Sequence, residues 1–151
     1  MKIKAIATML CIATLGLFVS CTKEEKENAT VIGKWKCIYS LVENYDFRQV
    51  GPTLTIDTNI YYDEGKIGKT WEFQQDGTLK RDGMPLVSYT VNGDLLTFVR
   101  IDPPQDTIGT MQITELHETW MQLFSKSDTR QADGQGTLKK ETYIFSKALV
   151  Q

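Results

Sequence analysis

Every second residue is apolar in a segment that begins near residue 31. The apolar positions are Trp35, Cys37, Tyr39 and Leu41, and the positions between them are mostly polar. A period of two with one apolar face is typical of a half-buried β-strand. We therefore predict a first strand over residues 32–42, with these four side chains on its buried face.

Short turn signals divide the middle of the chain. Asp76-Gly77, Asp82-Gly83 and Asn92-Gly93 each place a glycine, which accepts a positive φ, where a tight hairpin needs it. The segments between and after these turns alternate as the first one does. They predict strands over residues 69–74, 78–81, 86–91, 95–101, 107–114, 119–125 and 138–148.

The region between the first strand and residue 69 is less regular. Residues 43–52 have no clean period and predict a loop or a short helix, whereas residues 54–57 and 60–62 predict an irregular strand. The aromatic residues of this region are Tyr45, Phe47, Tyr61 and Tyr62. Two interpretations stay open: a lid that packs onto the core, or a portal that contacts a ligand.

Together these patterns predict an all-β fold. The regular strands and one doubtful strand follow one another along the chain, and no stretch has a long helical period. Sequential antiparallel strands form an up-and-down barrel or a sandwich, and eight strands are natural for a small closed barrel. We predict an eight-stranded antiparallel up-and-down barrel, whose interior holds either side chains alone or one small ligand.

The first residues have the pattern of a targeting signal. Lys2 and Lys4 precede an apolar run over residues 5–19, which is shorter than the roughly 20 residues that span a bilayer. The run ends at Leu17-Phe18-Val19-Ser20-Cys21, where a small residue stands directly before a cysteine. This resembles the lipobox of bacterial lipoproteins, which implies cleavage before Cys21 and a membrane anchor through lipid on its sulfur. An ordinary secretory signal and an uncleaved transmembrane anchor are the two alternatives.

The segment that follows is dense in charge and has no large apolar residue, so we expect a flexible tether over residues 21–30. The chain then divides into a signal peptide (1–20), this tether and a barrel domain (31–151). Glu24-Glu25 resembles the export signal of surface lipoproteins in Bacteroidetes. We expect a lipid-anchored location at a bacterial outer membrane, with the periplasmic and the surface-exposed face both open.

Composition disfavours several classes of function. The formal net charge is -2 and the chain has no basic patch, so we expect no nucleic-acid partner. His117 is the only histidine, and no cofactor or nucleophile motif occurs, so we expect no metal, no cofactor and no enzymatic activity. Cys37 is the one thiol of the predicted barrel domain, and its place in the alternation predicts a buried side chain.

An ordered set of short motifs spans nearly all of the predicted barrel domain. They are Ile32-Gly33-Lys34-Trp35-Lys36, Trp71-Glu72-Phe73, Asp76-Gly77-Thr78-Leu79, Tyr89-Thr90-Val91-Asn92-Gly93-Asp94-Leu95-Leu96, Met111-Gln112-Ile113 and Tyr143-Ile144-Phe145. With these motifs the chain resembles the lipocalin-like domain of small Bacteroidetes lipoproteins. The resemblance implies an eight-stranded calyx that could hold a small hydrophobic ligand.

The resemblance also implies roles for Gly33 and Trp35. In lipocalins the tryptophan of a Gly-x-Trp motif plugs the closed end of the barrel, which assigns that structural role to Trp35. An arginine on the last strand commonly packs across that tryptophan. Residues 138–148 contain no arginine, and their cationic residues are Lys139, Lys140 and Lys147.

Two hypotheses for function follow. In the first, the protein binds a small hydrophobic ligand in the barrel, with the candidate lining residues Trp71, Phe73, Phe98, Met111, Met121, Leu123, Tyr143 and Phe145. In the second, these side chains fill the barrel, and the protein is an accessory envelope lipoprotein that binds a protein partner through residues 45–62. A barrel with no cavity above about 300 Å³ would count against the first hypothesis.

Overall fold

The structure is a computed structural model that describes residues 30–103 and 105–148. Its strands are β1 (Gly33–Val50), β2 (Thr53–Tyr62), β3 (Thr70–Phe73), β4 (Thr78–Arg81), β5 (Met84–Asn92), β6 (Leu95–Val99), β7 (Thr107–Leu116), β8 (Trp120–Asp128) and β9 (Gly136–Lys147). Within the described ranges, no helix has the length and apolar character needed to cross a bilayer. The predicted signal peptide, Cys21 and the predicted tether up to residue 29 lie outside these ranges.

All of the strands except β2 close a barrel. β1 pairs with β3, and each later strand pairs with the next one in sequence until β9 returns to β1. The closing ladder places Cys37 opposite Phe145 and Ser40 opposite Tyr143. Every pairing is antiparallel, so the predicted eight-stranded antiparallel barrel is confirmed.

The strand directions define two ends of the barrel. At the closed end, β1 begins at Gly33, and β5 turns into β6 at Gly93, which has a φ of 62°. At the open end, β4 turns into β5 through Asp82 and Gly83, with φ values of 51° and 85°. Both turns lie where the sequence predicts them, since a two-residue hairpin turn requires these positive φ angles.

β1 is longer than predicted. It continues to Val50, turns at Gly51-Pro52 and returns as β2, so the predicted loop or short helix over residues 43–52 is wrong. This half of β1 stays extended because it pairs on both edges, with β9 as far as Phe47 and with β2 as far as Val50. β2 lies on the same edge of β1 as β3, but farther toward the open end. We call residues 41–62 the flange.

A β-bulge reverses the faces of β1. The register with β9 shifts between Cys37 and Tyr39, so the buried side chains that follow Cys37 are Ser40 and Val42. The prediction that Tyr39 and Leu41 share the buried face is therefore wrong. One extra residue has this effect because side chains alternate with a period of two. The predicted burial of Cys37 itself is confirmed.

Side chains fill most of the barrel interior. The largest fully buried ones are Trp35, Tyr143, Phe73, Phe145, Leu79, Leu96, Met121 and Leu123. Aromatic rings pack closely in this core: the Phe73 and Tyr89 ring centres are 5.0 Å apart, and those of Trp71 and Phe145 are 5.1 Å apart. Such aromatic contacts stabilise a core by about 0.5–1.5 kcal/mol each beyond the area they bury.

Candidate ligand site

A small cavity lies at the open end of the barrel. Its volume is about 260 Å³. Apolar side chains of β3 to β7 form most of its wall, and Ser125 of β8 and Glu141 of β9 add polar groups. The apolar lining residues are Trp71, Leu79, Leu86, Val87, Phe98, Ile108 and Met111, and Gly109 and Thr110 complete the wall.

The cavity depends on the absence of a side chain at Gly109. Gly109 lies opposite Phe98 in the β6–β7 ladder, and Met111, two residues farther along β7, lines the same cavity. A Cβ added to Gly109 would meet no other atom within 4 Å. A larger residue at this position would therefore place its side chain in the space that a ligand could occupy.

The structure brings together some of the predicted lining residues and not others. Trp71, Phe98 and Met111 line the cavity. The other candidates pack inside the core and do not line the cavity; they are Phe73, Met121, Leu123, Tyr143 and Phe145. Strand parity placed these eight residues on inward faces, but parity does not say how far along the barrel axis a side chain lies.

The other lining residues were not among the candidates, and they include Leu79, Val87, Ser125 and Glu141. Leu79 and Val87 face each other across the β4–β5 ladder, and both point inward. The turn at Asp82-Gly83 joins β4 to β5 at the open end. The inward residues nearest to this turn could therefore have been inferred from the sequence. Glu141 has no such signal, because a glutamate in an alternating strand is typical of an outward face.

A cluster of polar side chains lies beside this cavity. Lys66 Nζ donates hydrogen bonds to the Tyr143 hydroxyl at 2.6 Å and to Glu141 Oε1 at 3.0 Å. The Tyr143 hydroxyl in turn donates to Glu141 Oε1 at 2.9 Å. Lys139 forms a further ion pair with Glu141, and Asp63 forms one with Lys66, each at 3.2 Å.

The pKa values of this cluster follow from burial and from these bonds. Burial raises the pKa of Tyr143 to about 12, although the hydrogen bond from Lys66 acts in the opposite direction. For Glu141, burial alone would raise the pKa, but the hydrogen bonds from Lys66 and Tyr143 outweigh it and the pKa is lowered. For Lys66, burial alone would lower the pKa, but the hydrogen bonds to Tyr143 and Glu141 outweigh burial and raise it.

These shifts keep Lys66 and Glu141 charged and Tyr143 neutral at pH 7. The cluster braces the barrel wall: Lys66 lies in the connection between β2 and β3, and its bonds hold this connection against β9. The neighbouring backbone supports the same arrangement, because Gly68 N donates to Cys37 O at 2.8 Å.

Trp35 is fully buried near the start of β1, at the closed end. Its indole Nε1 donates to the carbonyl oxygen of Val31 at 2.7 Å. Lys147, from the end of β9, lies over the indole ring with its Nζ 4.5 Å from the ring centre. Lys147 therefore covers one face of the buried Trp35 ring at this end of the barrel.

The flange has two chemically different faces. Its inner face is polar and borders an open groove of about 440 Å³, whose lining residues include Asn44, Asp46, Arg48, Asp57 and Asn59. On its outer face the residues of β2 are mostly apolar; they are Leu54, Ile56, Thr58, Ile60 and Tyr62. Tyr61 and Tyr62 are exposed, so neither packs onto the core as the predicted lid would.

The remaining candidate for chemistry, His117, lies in the turn between β7 and β8. Its ring stacks on Trp120 with the ring centres 4.4 Å apart, and it is about half exposed. Across residues 30–103 and 105–148, no group of three or more His, Cys, Asp or Glu side chains could hold a metal ion.

Comparison of the chain with protein-family models, curated proteins and solved structures finds no match. The observations that bear on function are therefore those of the barrel itself: a closed antiparallel wall, a filled interior and a small apolar cavity at the open end. A barrel of this type fits a lipocalin-like ligand-binding fold.

Proposed function

We propose that the protein binds a small apolar molecule at the open end of its barrel. The observation that carries this proposal is the cavity between Trp71, Leu79, Val87, Phe98 and Met111, which is open to solvent and apolar on most of its wall. Burial of a ligand against these side chains would contribute about 25 cal/mol for each Å² of apolar surface removed from water.

The volume of the cavity limits the ligand. At about 260 Å³ it lies below the roughly 300–1,000 Å³ of typical drug-sized pockets, so the criterion of about 300 Å³ set from the sequence counts against a ligand of that size. It exceeds the roughly 150 Å³ of an engineered cavity that holds benzene. The ligand we propose therefore has one or two rings, or a short chain, and is smaller than the long acyl chains that a wide calyx holds.

The few polar side chains in the wall of the cavity determine which polar group a ligand can carry. Glu141 already has Lys66 and Lys139 as ion-pair partners, so a charged ligand group would have to compete with one of them. Ser125 offers a hydroxyl group at the same cavity. These features favour a ligand with a neutral hydroxyl or amide group over a carboxylate or an amine.

Native mass spectrometry tests this proposal on the protein extracted from its own envelope in a mild detergent. We expect a retained small-molecule mass that is lost when the protein is unfolded and refolded. A protein that carries no extra mass and gains none from an envelope extract would contradict the proposal.

We also propose that the protein belongs with the lipocalin-like lipoproteins and is anchored to a bacterial outer membrane by lipid on Cys21. The support is the Leu17–Cys21 pattern after a short apolar run, which precedes the barrel by a charged segment. Replacement of Cys21 by serine would remove the alkylated thiol, so the Cys21→Ser protein should leave the membrane fraction. If it stays there and the native protein carries no lipid mass, the anchor proposal is wrong.

A second candidate function is docking of an envelope protein on the flange. The observation that favours it is the exposure of apolar side chains on the outer face of β2, including Ile56 at 54% and Tyr62 at 61%. Replacing Tyr61 and Tyr62 with alanine should leave the barrel folded and abolish capture of such a partner. Capture that survives the double replacement would contradict this function.

A further inference from the structure

The outer edge of β2 is unpaired in the described part of the chain. β2 pairs with β1 without a break from Leu41–Tyr62 to Val50–Thr53, and no other described strand pairs with it. Asp63 N donates to Ser40 O, which fixes the phase of this ladder: odd-numbered residues of β2 direct their backbone groups toward β1. The backbone groups of the even-numbered residues, from Leu54 to Tyr62, therefore point to the free edge.

The sequence of β2 has few of the features that usually protect such an edge. Proteins block edge strands with lysine, proline, a bulge or very short length, because a free edge pairs readily with another strand. Residues 53–62 contain no lysine, proline or glycine, and their register has no bulge. Asp57 is the single charged residue among them.

We propose that β2 pairs antiparallel with β2 of a second copy of this protein, about a two-fold axis at Thr58. A two-fold axis perpendicular to the sheet places side chains of the same face opposite each other, so the register must be centred on a residue. With Thr58 at the centre, Ile56 lies opposite Ile60 of the second copy, and Leu54 lies opposite Tyr62. Both are apolar pairs of the kind that stabilise antiparallel ladders.

The charge of Asp57 favours the register centred on Thr58 over the register centred on Asp57. A register centred on Asp57 would place the two Asp57 carboxylates directly opposite each other, and like charges in that position are destabilising. The register centred on Thr58 instead places Asp57 opposite Asn59 of the second copy, where a carboxylate can accept a hydrogen bond from the amide. It also pairs β2 over nearly its whole length, from Leu54 to Tyr62.

Such pairing would join the sheets of the two copies and their apolar outer faces. Tyr39, which packs edge-on against Tyr62 with ring centres 5.5 Å apart, would border the joined surface. The residues of β2 do not line the barrel cavity, so this proposal stands independently of ligand binding. Its partner is a second copy and not the heterologous protein of the second candidate function.

Matched lysine variants test the proposal by sedimentation of the purified full-length protein. The native protein should be a dimer, Ile56→Lys should weaken dimerisation at least tenfold, and Val50→Lys should not change it. Val50 is 62% exposed on the same flange but lies outside the paired segment, so it controls for the added charge. A monomeric native protein, or an Ile56→Lys variant that dimerises normally, would overturn the proposal.

Cross-linking gives a readout of the register. Under mild oxidation, Thr58→Cys should form a disulfide between two copies, because residues opposite each other in a hydrogen-bonded pair have Cα atoms about 5.5 Å apart, within disulfide reach. Thr53→Cys, at the far end of β2, should not cross-link to itself. If Thr53→Cys cross-links as well as Thr58→Cys, or if a different protein occupies the edge, pairing between copies in this register is wrong.

Discussion

The ammonium group of Lys147 lies 4.5 Å from the centre of the Trp35 ring and closes the end of the barrel where the chain begins its first strand. Lys147 also approaches the carbonyl oxygen of Ile32, with Nζ at 3.4 Å. An ammonium group interacts favourably with the face of an indole, so this contact stabilises the closed end of the barrel.

Replacement of Lys147 by methionine should lower the free energy of unfolding by about 1 kcal/mol, since it keeps most of the side-chain packing and removes the cation. Lys147→Arg should stay within about 0.5 kcal/mol of the native protein, because a guanidinium stacks on an indole equally well. Urea unfolding measures both values. The account is contradicted if the two substitutions cost the same.

Gly33 makes the approach of Lys147 to Trp35 sterically possible. Its φ is 132°, and a Cβ at this position would lie 3.1 Å from Lys147 Cε. Gly33→Ala should therefore destabilise the protein by about 1–3 kcal/mol. Gly109→Ala is the control, because Gly109 has open space around it, and it should stay within about 0.5 kcal/mol. Equal effects of the two alanine variants in urea unfolding would show that Gly33 has no special role.

The brace formed by Lys66, Glu141 and Tyr143 should make stability depend on pH. Bonds from Lys66 and Tyr143 lower the pKa of Glu141 from its ordinary 4.5. The stabilisation of the folded state by the Glu141 carboxylate is therefore complete above pH 4.5. That contribution is lost as the pH falls through the lower pKa of the folded state. Glu141→Gln should cost about 1–2 kcal/mol at pH 7, and the difference from the native protein should shrink below pH 4.5.

Urea unfolding of both proteins between pH 3 and 7 measures this change, with Glu118→Gln as a control at an exposed turn. The control should match the native protein at every pH. A Glu141→Gln difference that stays constant down to pH 3 would show that the carboxylate does not take part in the brace.

The thiol of Cys37 should be protected in the folded protein. Burial raises the pKa of Cys37, and its exposed fraction is 1%. The thiolate is the reactive form, so both effects slow alkylation. At pH 8 iodoacetamide should modify Cys37 at least a hundred times more slowly than an exposed thiol introduced by Val50→Cys, and peptide mapping distinguishes the sites. Similar rates would mean that β1 opens readily.

The sequence predicts the barrel because its turn residues and its alternation agree. Asp82-Gly83 and Asn92-Gly93 fix tight turns, and the strands between them need only a period of two to show which side faces inward. The predicted bounds of β4, residues 78–81, match the structure for this reason. Fold class and strand order therefore follow from local chemistry.

Features that arise from pairing between distant residues could not be read in the same way. The bulge at Ile38 has no sequence signal that we recognised, and it moves Ser40 and Val42 inside the barrel. The strand character of residues 43–50 depends on ladders with β2 and β9, because its own alternation is weak. The candidate site was predicted in part, since parity identifies inward residues such as Trp71 but not their depth along the barrel axis.

The most direct test of ligand binding uses the space in front of Gly109. We would titrate the purified protein with p-cresol, an apolar ring with one hydroxyl, and follow the Met111 methyl signal by NMR. Gly109→Leu fills the cavity, whereas Thr97→Leu adds the same side chain on the outward face of β6, opposite Thr110. Both variants should fold as the native barrel does.

We expect saturable shifts with a Kd of about 0.1–1 mM for the native protein and for Thr97→Leu. Gly109→Leu should weaken this binding at least tenfold. Shifts of Met111 that do not saturate, or that survive unchanged in Gly109→Leu, would contradict the claim that the open end of this barrel is a ligand site.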